Sequence, residues 1–367
     1  MTLIIDNPTV EKVLRADKVV EALEDAQREL ALGQAVNAQP YRVLTPRDAA
    51  DYGAPPGTSP AHHSFTSLSG AIAKLDVTCD RIDSDIIGYV PTASGSRRVR
   101  FPAHPERKFC GLVYVYSSRT GELQAIVHDG YLQKFRVAGT GAVGTKHLSR
   151  EDSKVMALIG TGWQAEAAVM CQPVVRPLQQ IRVYSPTPGK PEAFAQRWTS
   201  QAGVDIVPVA SAREAVQGAD IVYTATNSPT AVVEADWLVP GQFVTGVTDL
   251  EVALAGWERC DVLATNRHGL RWERYAIGGS DVIPEQGQEY LRQSTSVDWS
   301  ALPTLGDIVL GNHPGRTSAE QLTGMLLRGD GVQFAAVAAY VHRACRDAGL
   351  GTEIPSELFL QDEQYIP

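Results

Sequence analysis

The sequence is poor in cysteine, has no long apolar run and carries no excess of positive charge. Each lack excludes a class of protein. Cys79, Cys110, Cys171, Cys260 and Cys345 are odd in number, widely spaced and nowhere arranged as C-x-x-C. This argues against a disulfide framework or a zinc knuckle and predicts reduced thiols in a cytoplasmic compartment. No window approaches the roughly 20 apolar residues of a membrane span. The opening Met1-Thr-Leu-Ile-Ile-Asp6 has no basic segment and no long apolar stretch, so no signal peptide is expected. Lys and Arg number 33 against 42 Asp and Glu, a net charge of −9, which repels phosphate backbones and speaks against a nucleic-acid partner.

What is present is a packable chain. Its 367 residues are 44 % hydrophobic, ample for a core, and exceed the roughly 250–300 residues at which single cores stop growing, so two domains are expected. Apolar residues from Val10 to Leu32 recur near helical spacing and predict one helix over 9–32, stopped by Gly33. Runs at 71–79, 111–116 and 123–127 predict strands. The Pro/Gly/Ser-rich stretch 48–64 and the basic stretch 91–108 predict solvated loops. His62 and His63 are adjacent and rarely could converge on one ion, so no metal is expected. A helix is expected over 129–148, with small residues along one side that permit close approach.

From Val155 strands and helices alternate. Strands are expected at 155–160, 181–185, 204–208, 220–225, 243–247 and 261–265, with helices between them and a long helical tract over 318–349. Such alternation predicts an α/β protein with a Rossmann-type, doubly wound parallel sheet. Gly160-Thr161-Gly162-Trp163-Gln164-Ala165 spells G-x-G-x-x-A directly after an apolar strand and at a helix start. Gly160 permits the tight turn, Gly162 lets backbone N–H groups approach a pyrophosphate, and Ala165 keeps helix and strand close. The second strand ends in Tyr184-Ser185-Pro-Thr187-Pro-Gly-Lys190, without the acid that accepts from a ribose 2′-OH. Ser185, Thr187 and Lys190 could instead meet a 2′-phosphate, so NADP(H) is favoured and NAD(H) remains possible. Thr224, Ala225 and Thr226 close a further strand at the carboxyl edge, where ligands of such sheets bind.

These residues resemble the ornithine cyclodeaminase/mu-crystallin family, which includes archaeal-type alanine dehydrogenases and ketimine reductases. The motifs are Gln39-Pro-Tyr-Arg42, Ala73-Lys74-Leu-Asp-Val77, Asp129-Gly130 through Arg136 with Gly144-Thr-Lys146, the 158–165 turn, 305–311 and 314–318. The resemblance implies a substrate-binding and dimerisation α/β domain formed by 1–148 plus 325–367, a Rossmann domain over 149–324, and a homodimer. It also implies that Arg42, Lys74 and Arg136 face an imino- or amino-acid substrate. The chemistry suits these types: planar guanidinium groups clamp a carboxylate bidentately, and a partly desolvated lysine exchanges protons with a substrate nitrogen. The family's acid after the fifth strand has its nearest counterparts here in Asp249, the candidate proton carrier, and Glu251. The P-G-K that follows it in cyclodeaminases is absent, and Val137 replaces a threonine.

The reading that follows is an NAD(P)-dependent oxidoreductase acting on C–N bonds, by imine reduction or amino-acid oxidation. Two others stay open: a cyclodeaminase-type lyase recycling its nicotinamide, and a nucleotide-binding protein without turnover.

Overall fold

The computed structural model describes residues 1–58, 61–92, 95–102, 106, 108–228, 230–268, 272–278, 298 and 300–361; for 92 and 95–97 it describes the backbone. Two sheets organise them. The first contains β1 (Thr2–Ile5), β2 (Ala35–Asn37), β3 (Tyr41–Arg47), β4 (Ala61–Ile72), β5 (Val77–Thr92), β6 (Gly95–Phe101), β7 (Cys110–Tyr116), β8 (Leu123–His128), β15 (Glu273–Ala276) and β17 (Thr352–Ile354). Its order is β15-β3-β4-β5-β7-β8-β1-β17, with β2 on β4 and β6 on β5. It is mixed: β1–β8 and β15–β3 are parallel, the remaining pairs antiparallel.

The second sheet contains β9 (Val155–Ile159), β10 (Gln180–Tyr184), β11 (Asp205–Pro208), β12 (Ile221–Thr224), β13 (Phe243–Gly246), β14 (Val262–Thr265) and β16 (Thr323–Leu326). It is parallel throughout, in the order β11-β10-β9-β12-β13-β16-β14. Its central strands β12, β13 and β16 are buried at every position, as strands covered on both faces must be. This is the Rossmann-like lobe expected from the alternating pattern, joined to a mixed-sheet lobe.

The helices are α1 (Asn7–Val13), α2 (Ala16–Ala31), α3 (Asp129–Leu148), α4 (Trp163–Val175), α5 (Lys190–Ala202), α6 (Ala212–Val216), α7 (Leu254–Glu258), α8 (Leu305–Leu310) and α9 (Gly331–Ala348). α3 is the hinge pin of the architecture. A Cβ at Gly139 would strike Leu23 of α2 at 2.6 Å, one at Gly141 would strike Tyr223 of β12 at 2.9 Å, and one at Gly144 would strike Met325 of β16 at 2.3 Å. The small residues therefore seat one helix against both lobes. The start of α9 lies as close to the first sheet: a Cβ at Gly70 would fall 2.5 Å from the Gly331 backbone.

Four local expectations are corrected. The helix over 9–32 is two helices, because Leu14 and Arg15 are extended between α1 and α2. The strand over 71–79 is two strands around a 3-10 turn at Ala73–Leu75, closed by Asp76 at φ 52°, a left-handed position that Asp tolerates. Within 91–108, residues 95–101 form β6, whose Arg100 turns inward to buried carboxylates; His104 and Arg107 lie outside the described residues. The tract 318–349 is β16 followed by α9, since Asp330 caps a new helix through Gln333 N–H at 2.9 Å. The chain visits the first sheet at β15, returns to the parallel sheet with β16, and packs against β4 and β5 again with α9.

Candidate active site

The turn after β9 is shaped for a dinucleotide. Gly160 has φ 117°, and a Cβ there would sit 2.2 Å from the Ala225 carbonyl oxygen, so no other residue fits. Its N–H donates to Tyr184 O at 2.8 Å, and the Ala225 N–H donates to Ile159 O at 2.8 Å. The carboxyl ends of β9, β10 and β12 are thereby tied together. Gly162 caps α4 without any side-chain hydrogen bond, and no atom lies within 4 Å of where its Cβ would be. The first N–H groups of a 13-residue helix are thus uncapped and open, with the helix dipole behind them. Thr161 is half-buried, Trp163 and Gln164 flank the opening, and Ala165 is fully buried. The residues present fit a pyrophosphate.

Glu251 stiffens the floor of this edge. It is fully buried; its carboxylate accepts from the Thr226 N–H, from Thr224 Oγ1 at 3.1 Å and from the Thr248 N–H at 3.0 Å. Burial pushes its pKa up, against the pull of these donors. Glu251 is a framework residue of the loops after β12 and β13. Asp249 is more accessible, stands 3.6 Å from Arg328 and is pushed up by burial.

Facing this edge is a seam of arginines. Arg81 of β5 is buried; its Nε and Nη2 donate to Asp129 at 2.8 and 2.5 Å, and Asp83 lies at 3.2 Å. Gly111 is required there, because a Cβ would fall 2.9 Å from the Asp129 carboxylate. Arg136, two turns along α3, is as deeply buried but has no such carboxylate. Its Nη1 donates to the neutral amide oxygen of Gln333 at 2.9 Å, and its Nε has no partner among the described residues. Its guanidinium lies 4.7 Å over the Phe334 ring, and Gly329 packs closely against it, where a Cβ would fall 3.0 Å from Nη1. Burial and the nearby Arg81 lower its pKa to about 10, so it stays charged at neutral pH. From Gln333 the hydrogen bonds run through Asp330 and Asn266 to the backbone of Arg328. Arg136 is thus wired to the carboxyl ends of β14 and β16.

The sequence-derived candidates separate accordingly. The 160–165 turn, Thr224–Thr226, Asp249 and Arg136 lie along the seam or at the sheet edge beside it. Arg42 lies in the first sheet over the Trp272 ring at 4.6 Å, in register with Thr66 and, one strand further, Asp83. Lys74 is not brought to the seam: it sits in the turn before β5, 60 % exposed, 3.5 Å from Glu29 of α2. Arg81, Asp330, Gln333 and Arg267 were not singled out. The alternation Arg81-x-Asp83-x-Asp85 on one strand face carried a usable signal, since charges repeated at period two mark a charged inner face.

Comparison with known proteins agrees with this geometry. A family model described as ornithine cyclodeaminase/mu-crystallin matches residues 106–349. A Rhizobium meliloti protein named as a dehydrogenase is 32 % identical over 303 residues, 78 % of this chain and 87 % of that protein. Three solved structures share the fold at TM-score 0.73, each covering 96 % of this chain. They are a Thermococcus litoralis Δ1-pyrroline-2-carboxylate reductase with NADH and L-proline (21 % identical, 100 % of that chain), an archaeal alanine dehydrogenase dimer with NAD (19 %, 99 %), and a Paracoccus denitrificans iminosuccinate reductase with NAD+ (20 %, 99 %). All three hold NAD or NADH, which overturns the NADP expectation. The local geometry offers a reason. Thr187 and Lys190 are exposed and Ser185 half-buried, so the missing acid after β10 is not matched by a cation held in place for a 2′-phosphate.

Proposed function

From the premise that this chain belongs to the ornithine cyclodeaminase/mu-crystallin family, we propose that it is an NAD-linked oxidoreductase acting on the C–N bond of an α-imino or α-amino acid, working as an imine reductase. The observation that carries the reading is Arg136: a buried, charged guanidinium, under-supplied with acceptors, wired to the carboxyl edge of the parallel sheet. Such a group is stabilised by a carboxylate ligand, which satisfies the charge and the orphan N–H together.

When bound, the nicotinamide supplies or accepts the hydride. The chain's own residues do the rest. The α4 N-terminus and the Gly160 turn would hold the pyrophosphate. Glu251 fixes Thr224 and Thr226 at the same sheet edge. Arg136 clamps the α-carboxylate and so orients the imine carbon, converting an encounter into a fixed approach. Arg81, held by Asp129, keeps Phe334 and Arg136 in register and repels a second cation. Asp249, its carboxyl pushed up by burial, is the proton carrier at the substrate nitrogen. Arg42 closes the outer side of the cleft. Lys74, on its exposed turn, has no part in this arrangement. A homodimer, the state named for the archaeal alanine dehydrogenase structure, is proposed here too and is checked by light scattering.

The test is a panel of α-imino acids with NADH and of amino acids with NAD+. NADH oxidation dependent on an imine and on its carboxylate supports the reading. Ammonia release from ornithine or lysine without net change in NADH would make the protein a cyclodeaminase instead. NADH binding without turnover of any member would leave a binding protein.

A further inference from the structure

Arg267 is the buried cation for which the reading above has no use. It follows β14 by two residues and is 6 % exposed, and neither its Nε nor its Nη1 has a hydrogen-bond partner among the described residues. The turn that delivers it is fixed. Asn266 donates from Nδ2 to Arg328 O and to Asp330 Oδ2, both at 2.9 Å, and accepts from the Arg328 N–H at 2.6 Å.

Asp330 is fully buried and faces both Arg267 and Arg136, while its Oδ1 is taken by the Gln333 N–H. Asp330 acts on both guanidinium groups, and it is itself engaged by Gln333 and Asn266. The other acids nearby are taken too: Asp129, Asp83 and Asp85 by Arg81 and Arg100, and Asp249 by Arg328. None of them supplies the hydrogen bonds that Arg136 Nε and Arg267 Nε and Nη1 lack among the described residues. An imino acid with a single carboxylate satisfies one of these two arginines, and one with two carboxylates satisfies both. The orphan N–H groups also belong to two separate arginines, which asks for acceptors at two places.

We propose that Arg267 is a second carboxylate-binding residue of the site and that the substrate is an α-imino or α-amino dicarboxylate, of aspartate or glutamate length. This rests on the reading in which Arg136 holds the α-carboxylate, and it names the substrate class for that same site.

The experiment compares NADH oxidation with ammonia plus oxaloacetate or 2-oxoglutarate against ammonia plus pyruvate or 2-oxobutyrate. The better dicarboxylate is expected to exceed the monocarboxylates by about a hundredfold in kcat/KM. Arg267→Met is expected to collapse that ratio to near one by loss on the dicarboxylate side. Arg267→Lys, which keeps the charge and loses the fork, should retain part of it. Calorimetry on the NADH-bound protein, in which an amino acid has no hydride acceptor, supplies a readout without turnover: L-aspartate or L-glutamate binds the wild type, and Arg267→Met loses that binding. Equal turnover of both substrate classes by the wild type, or a folded Arg267→Met that keeps its selectivity, overturns the proposal. If no imine consumes NADH, the oxidoreductase reading fails instead. Calorimetry then still decides on Arg267, since a wild type that binds neither dicarboxylate overturns its role. Should Arg267→Met fail to fold, the wild-type ratio and Arg267→Lys decide.

Discussion

The two ends of helix α9 both meet basic side chains, and they treat them in opposite ways. At the N-terminal end Gln333 and Phe334 bury Arg136 and Arg81 between the two lobes. Toward the C-terminal end Tyr340 and Arg343 join Lys18, Glu21, Glu29 and Lys74 around an open cavity of about 240 Å³. There Lys18–Glu21 is exposed at 2.7 Å, and Lys74, itself open to solvent, lies 3.5 Å from the buried Glu29. Water screens charges at that end, so each pair contributes little and demands nothing of a ligand. At the other end desolvation makes every unmatched charge costly, and a ligand can supply the match. The same residue types are solvated at one end and starved of partners at the other, and only burial distinguishes them.

The comparison can be broken most forcefully at Asp129. Asp129→Ala leaves Arg81 in the interior with Asp83 at 3.2 Å as its remaining acid and is expected to cost about 3 kcal/mol of stability, measured by urea unfolding. A loss below about 1 kcal/mol, typical of an exposed pair, would mean that the two ends do not differ. Arg136→Met should lower kcat/KM for carboxylate-bearing imines by about 2–5 kcal/mol while NADH affinity stays level, checked by steady-state kinetics and fluorescence titration. An equal loss with a substrate lacking the carboxylate would remove Arg136 from substrate binding.

The pH dependence sharpens the contrast further. Asp85 is raised to about 6 by burial and by the adjacent Asp83, which together outweigh its contact with Arg100. A carboxyl raised on folding stabilises the fold below its ordinary value near 4, and that contribution is lost as pH rises through about 6. Asp85→Asn should flatten this fall and gain on the order of 1 kcal/mol above pH 6, seen as a smaller drop in melting temperature between pH 4 and 7. The smallest effect is expected at the open end: Lys74→Ala should change kcat/KM less than about twofold and stability by less than about 0.5 kcal/mol. A tenfold loss of kcat with an unchanged melting temperature would bring Lys74 back to the chemistry.

Much of this protein was legible from its residues. The parallel sheet, the Gly160 turn and the family follow from local patterns: an apolar strand, glycines at set spacing, small residues on α3. Backbone sterics and hydrophobic period act over a few residues, so they leave their mark in the linear order. The partnerships were not legible. Arg81 finds Asp129 across 48 residues, Arg136 finds Gln333 across 197, and Asn266 ties Asp330 to the end of β14 across 64. Lys74 and Arg81 lie seven positions apart in one motif-bearing stretch. The left-handed turn at Asp76 separates them, leaving one in water and the other in the seam. Whether a charge is solvated or starved is a property of what the folded chain packs around it. The residues alone therefore determined the Rossmann-like lobe, and tertiary packing alone decided which arginines are buried without a matching acid.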